Sequence, residues 1–515
     1  MKKKHYLLLF LILLLAFAFR IYKFDAYSLW DDEARTYITA SARNLPDVLK
    51  VIPIEIPGNS PLDPLVRHLF MKMLGNNTFN FMLPSLIFSL IALLILFYFA
   101  KKIFGLKVAL ISALILSFHP FDIVYAQEGR NYAILNIFSP LATLFLIRAM
   151  QEKAKLRNWI FYGLMLSLLF YSHMITMSFA VAQCFFIVAF LFVNYIKTRK
   201  IDILLFRNYL FAGILSVLLF IPWLVVFLQT GWISWLKDVT IVHHSALKCI
   251  MLFAPGYSIF KLISIILFIF GSIFLYKKEK QIFWLFVSMF VIASMLAFFI
   301  TKNSFFHVRY IFYLLPFIVL VIAIGLSYLS DLFMSLLKTG LSPNLEKYAR
   351  PNYFIVFILI CIFSNNLLAL KPYYKKGGQN DGNWKKASVY INENYKPGDA
   401  IILPHGMKAN FEVYNDIPSY FIYYHESKTR INEDLSENKM INKQWKSILF
   451  NIKDLFDPTL AEYFKARNTG IVYLIWIDDK NYENISILIT YFSQYGSIRE
   501  MIKFDGALVF KISIN

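Results

Sequence analysis

The sequence predicts an α-helical polytopic membrane protein with a soluble α/β domain at its C-terminal end. Three observations predict it. Hydrophobic residues make up 58% of the chain and charged residues only 16%, far from the balance of a soluble globular domain. Apolar runs of roughly 17 to 25 residues recur, the length that crosses about 30 Å of hydrocarbon as a helix. Past residue 370 these runs stop, and shorter apolar segments entered through glycine or alternating with polar residues replace them.

Eleven spans are expected, near residues 5–22, 82–100, 106–124, 131–149, 157–174, 175–196, 208–228, 258–276, 281–301, 308–329 and 352–370. The third is interrupted by His119-Pro120 and Asp122, so its outer part reads as re-entrant or interfacial. "MKKKHYLLLFLILLLAFAFR" has the look of a signal peptide, with an Ala16-Phe17-Ala18 pattern, but the many later spans favour an uncleaved first helix. With the N-terminus inside, the inner loops are "MKKK", "KKIFGLK", "QEKAKLR", "KTRK", "KKEK" and the segment ending "EKYAR". Each is rich in Lys or Arg, as the positive-inside rule requires. The first outer loop is then 23–81, and the C-terminal region also lies outside. The expected domains are a transmembrane domain, 1–370, and an extracytoplasmic α/β domain, 371–515.

In that second domain "WKKASVYINENY" spaces Trp384, Ala387, Ile391 and Tyr395 as a helix face. "PGDAIILP" and "GIVYLIWIDD" read as buried strands, and "ALVFKISI" alternates, with Leu508, Phe510, Ile512 and Ile514 on one face. The formal charge of +20 falls largely in short clusters between apolar runs, which makes it a topology signal and argues against nucleic acid as a partner. Cys184, Cys249 and Cys361 are scattered, with neither metal-ligand nor disulfide spacing.

Polar residues gather on the expected outer side. In "SLWDDEARTY", Asp31, Asp32 and Glu33 open a helix-like stretch just past the first span. One acid serves a helix dipole or cap; three exceed that need, and a carboxylate here is placed to act as a base on a hydroxyl. "SFHPFDIVYAQEGRNYAIL" brings Asp122, Glu128 and Arg130 between spans three and four. They read as a helix-end ion pair, a snorkelling arginine, or a phosphate contact. "FYSHMIT" puts His173 at a span end, where packing competes with function. "KNSFFHVRYIFYLLP" puts Lys302, His307 and Arg309 at another outer mouth, where positive charge calls for an anionic partner such as phosphate. Pro222-Trp223 reads as a kink and interfacial anchor, and His243-His244 as a weak metal pair.

The ordered set of motifs resembles a known group. "SLWDDEARTY" is similar to the W-x-D-E-A first-loop signature of the C-type membrane glycosyltransferases. These include the protein O-mannosyltransferases and the lipid A aminoarabinose transferases. "SPLDPLVRHLF" with "MLPSLIFSL" resembles the H-P-P-L-Y and R-L-P-S segments, although Ser60, Asp63 and Met82 depart from them. "HPFDIVYAQEGRNYAIL" resembles P-x-x-x-x-Y-x-Q-E-A-R-x-Y, and "FYSHMI", "FIPWLVVFLQ" and "VRYIFYLLP" follow in the expected order. The likeness covers about residues 1–330.

The resemblance implies a C-type glycosyltransferase fold and a sugar donor carried on polyprenyl phosphate. It makes Asp32 the base and Glu33 its partner. Glu128, Arg130 and Tyr132 match the second signature, and Arg309 and Tyr310 the later R-Y. The acceptor is a hydroxyl of a glycan, lipid or protein. A phosphate leaves as an anion and needs positive charge rather than a general acid, and a single displacement inverts the sugar. No cofactor is demanded, though a divalent ion bridging an acid and the phosphate is compatible with the chemistry. The rival readings are a transporter or lipid flippase and an envelope polysaccharide polymerase or ligase. A transporter places ionisable groups along a path through the membrane. Here they collect on one side.

Overall fold

A computed structural model describes residues 3–56, 58–229, 258–301, 307–340, 351–376, 383–404, 408–415 and 469–477, together with 417, 420–423, 437–438, 443–444, 450–451, 489, 493, 496–504 and 507–514. Lys302 and the His243-His244 pair lie outside the described residues. The chain forms two compact units, one of residues 1–22, 57–66 and 82–372, the other of 23–56, 67–81 and 373–515.

The first unit is a helical bundle. Its elements are α1 (Lys3–Ile21), most of α5 (Thr78–Phe104), α6 (Leu106–Ser117), α7 (Pro120–Ala126), α8 (Tyr132–Gln151), α9 (Leu156–Ser172), α10 (Met177–Thr198) and α11 (Ile203–Gln229), followed by the helices Ser258–Lys278, Lys280–Thr301, Leu315–Gly340 and Pro351–Lys376. A helix therefore stands at every one of the eleven expected spans. Eight described helices are long and apolar enough to cross a membrane, or nine if α6 and α7 form one span bent by 61°. The other two positions hold α9, of 17 residues, and Ser258–Lys278, which carries three lysines. The bend has a local cause: Pro120 disfavours helical backbone at His119, whose ψ of 121° is extended.

Burial ranks the helices. The stretch Val308–Ser335 is 89% buried and forms the bundle centre, whereas α1 is 17% buried. α11 buries Leu205, Asn208, Ala212, Ser216, Phe220, Trp223 and Phe227, a single stripe at helical spacing. Its remaining surface exposes Leu210, Ile214, Val217, Leu218 and Val225, the face that hydrocarbon would solvate.

Small residues set how near the helices come. A Cβ added at Gly325 would lie 1.8 Å from the Leu267 carbonyl oxygen, and one at Gly271 would lie 2.0 Å from that of Val321. The two glycines thus admit each other's backbones, the way membrane helices gain dispersion contact where no hydrophobic drive separates protein from lipid. Gly325→Ala is expected to cost about 1–3 kcal/mol of stability through overpacking. A thermal midpoint in detergent equal to wild type would contradict it.

The second unit includes α2 (Asp31–Ala40), α3 (Leu45–Glu55) and the greater part of α4 (Leu62–Leu74). Its described strands are β1 (Ala400–Pro404), β2 (Tyr420–Tyr423), β3 (Glu437–Asn438), β4 (Lys443–Gln444), β5 (Phe450–Asn451), β6 (Ile471–Ile477), β7 (Gly496–Phe504) and β8 (Ala507–Ile514). β3 and β4 pair with each other, and the other six form one sheet in the order β5-β2-β1-β6-β8-β7. β5, β2, β1 and β6 are parallel, and β8 and β7 add antiparallel. The register pairs Ile401 with Tyr473 and Ile475 with Val509, one face of the sheet. That face packs on Trp384, Ala387 and Ile391 of the helix Trp384–Asn394, and on Phe411. The sequence predicts the Leu508, Phe510, Ile512 face of β8 as apolar; Ala507 and Val509 are buried as well, so both faces of the strand's first half are covered.

Candidate active site

The acidic stretch opens α2 within the second unit. Asp31 and Asp32 occupy the first helical turn, where the helix dipole favours negative charge. Asp31 is engaged by Arg35, whose Nε lies 3.1 and 3.0 Å from its two carboxylate oxygens. Burial opposes the charge on Arg35, but Asp31, and beyond it Glu55 and Asp32, hold the guanidinium above its ordinary range. Glu33 is buried and its Oε2 accepts the Trp30 backbone N–H at 3.1 Å, closing the helix start. Asp32 is half-buried, and its carbonyl oxygen accepts the Thr36 hydroxyl at 2.7 Å. The three acids thus have three surroundings: a surface ion pair, a helix cap, and a half-buried carboxylate at a helix N-terminus.

Of the other motif residues, Tyr132, His173 and Tyr310 come together in the first unit as a chain of aromatic rings. The Tyr132 centroid lies 4.7 Å from Tyr125 and 6.3 Å from the His173 ring; His173 lies 6.2 Å from Tyr310. Phe312 closes the group, 4.6 Å from Tyr125. Glu128 and Arg130 are buried, and Tyr125 feels the charges of both Glu128 and Arg309. The Arg309 guanidinium carbon lies 5.7 Å from the centre of the Tyr310 ring. Backbone ties fix the three contributing segments. Asn131 Nδ2 donates to Ser172 O at 2.6 Å, and Ser139 Oγ to Tyr313 O at 2.9 Å. His173 Nδ1 accepts Ile175 N–H, and His307 Nδ1 accepts Arg309 N–H. Burial of Arg130 is at odds with a side chain that snorkels to lipid headgroups. An arginine beside an aromatic ring, as Arg309 is beside Tyr310, suits an anion that brings its own apolar body.

Residues 58–226 match the family model for dolichyl-phosphate-mannose-protein mannosyltransferases. The fold is similar to that of ArnT from Cupriavidus metallidurans in the apo state, with TM-score 0.65 and 10% identity, covering 98% of this chain and 97% of that one. The chain has the fold of these membrane glycosyltransferases. ArnT bound to undecaprenyl phosphate is matched at TM-score 0.60 and 10% identity, over 98% of this chain and 97% of that one. The apo oligosaccharyltransferase of Archaeoglobus fulgidus matches at TM-score 0.55 and 12% identity, over 100% of this chain and 75% of that one. No curated protein sequence matches the chain.

Several residues that hold this site together carry little signal in the local sequence. Arg20 is fully buried and paired with Asp122, so Asp122 is part of a structural network rather than an outer-surface acid. Tyr125 and Gln127 belong to the matched signature itself, and that was the available signal. Tyr125 is the hub of the aromatic cluster, and Gln127 Nε2 donates to the carbonyls of Arg20 and Tyr22 at 2.9 and 2.8 Å. Trp223, expected as an interfacial anchor, is buried, and its indole N–H donates to Asn59 O at 3.2 Å. Ser60, at a departure from the family pattern, donates to Phe170 O at 2.8 Å. Among the described residues no three of His, Cys, Asp and Glu come together as an ion site.

Proposed function

We propose that the protein transfers a sugar from a polyprenyl-phosphate donor to a hydroxyl acceptor at the outer face of the membrane. Asp32 removes the acceptor proton while that oxygen bonds to the anomeric carbon. The bond from that carbon to the phosphate oxygen breaks with inversion, and polyprenyl phosphate leaves as an anion. Glu33 supports the acidic turn. Arg130 and Arg309, with Lys302, balance the phosphate charge, and Glu128, Tyr132, His173, His307 and Tyr310 shape their surroundings. No proton has to be supplied to this leaving group, so a single base is sufficient.

The observation that carries the reading is the match of residues 58–226 to a family described by a lipid-phosphate sugar donor. It is supported by the half-buried carboxylate of Asp32, the buried Arg130, and Arg309 beside the Tyr310 ring. The undecaprenyl phosphate bound by ArnT points to the same donor chemistry. The test supplies purified protein with polyprenyl-phosphate hexoses and pentoses and a membrane-extract acceptor. Transfer with inverted anomeric configuration is expected. Lipid translocation without transfer from any donor would overturn the reading in favour of a flippase. Arg130→Lys keeps the charge and loses the planar fork, and is expected to lower kcat/KM for the donor about 10- to 100-fold.

A further inference from the structure

The segment that leads into Asp31, Asp32 and Glu33 is held by the C-terminal domain, and within the second unit the hold is unusually complete. Leu29 is 1% exposed, and both of its backbone groups bind one short helix, Lys408–Tyr414. Its N–H donates to the Tyr414 hydroxyl oxygen at 2.7 Å, and its carbonyl accepts from Asn410 Nδ2 at 2.9 Å. Residues 410 and 414 are one helical turn apart, so they share a face. The Ser28 hydroxyl accepts the Lys385 backbone N–H at 3.1 Å. Lys385 Nζ reaches both the carbonyl and the carboxylate of Asp25 at 2.8 Å. Trp30 N–H is taken by Glu33. Ser28, Leu29 and Trp30 are therefore each fixed by a named bond. α2 itself packs against the 408–414 helix.

A loop this near a reacting carboxylate has two common solutions: hydrogen bonds within itself, or mobility until substrate binds. Here the anchoring groups come from about 380 residues further along the chain, as the separations of 385 and 381 residues for the two Leu29 bonds show. The Tyr414 ring packs against the sheet core, but its hydroxyl and the Asn410 amide are spent on the loop, not on a strand. Burial pushes the Tyr414 hydroxyl well above the ordinary phenol range, and Glu33 and Asp25 add to that, so it stays neutral and leaves no competing charge beside the acids.

We infer that Tyr414 and Asn410 are positioning residues for Asp32, so that the C-terminal domain completes the catalytic centre through the 408–414 helix. This rests on the proposed role of Asp32. The domain is then not merely an acceptor-binding appendage: it sets the carboxylate's place, and a small displacement of a reacting group costs a large part of the rate.

The test uses the full-length protein and the same panel of polyprenyl-phosphate sugars with membrane-extract acceptor. Tyr414→Phe removes only the oxygen that receives the Leu29 N–H. It is expected to lower kcat about tenfold with donor KM within about twofold, because the transition state alone loses alignment. Asn410→Ala should fall in the same direction. In an Asp32→Asn background, Tyr414→Phe should lower kcat no further, since both act through one group. Amide exchange of the peptide around residues 28–36 should quicken in Tyr414→Phe at an unchanged thermal midpoint. Tyr390→Phe loses a hydroxyl of the same domain, one bonded to Glu500 at 2.7 Å, and should change neither readout. Wild-type kcat with unaltered exchange in Tyr414→Phe overturns the inference, as does an equal loss in Tyr390→Phe. If Asp32→Asn transfers sugar at the wild-type rate, the base assignment fails instead, and the inference fails with it whatever the exchange shows.

Discussion

Asp32→Asn is expected to lower kcat about 100- to 10,000-fold while leaving the donor KM within about twofold. The substitution is isosteric and keeps an oxygen at the helix N-terminus, so the fold has little reason to change. What it removes is the ability to take a proton. An acceptor hydroxyl is a poor nucleophile until that proton is leaving, and the barrier rises accordingly. The comparison that sharpens the result is Glu33→Gln. Its amide oxygen can still accept the Trp30 N–H, so the cap survives, and a loss of about tenfold or less is expected if Glu33 acts by supporting the turn. Steady-state transfer from lipid-linked donors, with thermal midpoints measured alongside, separates the two. Equal rates for wild type and Asp32→Asn would remove Asp32 from the mechanism. A collapse in Glu33→Gln alone would move the base one residue along.

The distinction among the three acids was only partly legible in the sequence. Local chemistry announces that Asp31, Asp32 and Glu33 begin a helix. It cannot say which of them faces Arg35 or which turns back to cap Trp30, because both choices are made by side-chain rotamers one turn away. The spans were legible because the hydrocarbon thickness imposes a length and an apolar composition on any helix that crosses it. The bend between α6 and α7 was legible for the same local reason, a proline after His119. The contacts that gather Tyr132, His173 and Tyr310 were not. They join residues 41 and 137 positions apart along the chain, and no periodicity encodes a meeting between distant helix ends. Nor was the tie from Leu29 to Tyr414 and Asn410, where a backbone group is satisfied by side chains far along the chain. Arg20 was hidden differently. At the end of an apolar helix it reads as a boundary marker, and only its burial turns it into a partner.

Arg20→Leu is expected to destabilise the first unit by about 3–5 kcal/mol, the usual cost of stranding a buried carboxylate. Arg20 is wholly buried, and every branch of its guanidinium is used. Nε donates to Ser89 Oγ at 2.7 Å, Nη1 to the carbonyls of Ala16 and Ser117 at 2.9 and 2.8 Å, and Nη2 to Leu116 O at 3.3 Å and to Asp122. Ser89 Oγ also donates to Asp122 Oδ2 at 2.6 Å, and Asn136 Nδ2 to Asp122 Oδ1 at 3.3 Å. One arginine thus reaches two carbonyls at the end of α6, of which Leu116 O also accepts the His119 N–H at 3.2 Å, and ties α1, α5, α7 and α8 together. Lysine cannot substitute: a single ammonium has three donors and no fork, so Arg20→Lys should recover less than half of the loss. Replacing both members should be milder than replacing either one, because an apolar pair leaves no unpaired charge to desolvate. Thermal midpoints of Arg20→Leu, Asp122→Leu and the double variant, measured in lipid nanodiscs, complete the cycle. Additive losses would mean that the two side chains act independently and that the bend is held by packing alone. A double variant more stable than either single would show that the pair is coupled across the break that Pro120 sets between α6 and α7. Through α7, that break sets where Glu128 and Arg130 begin.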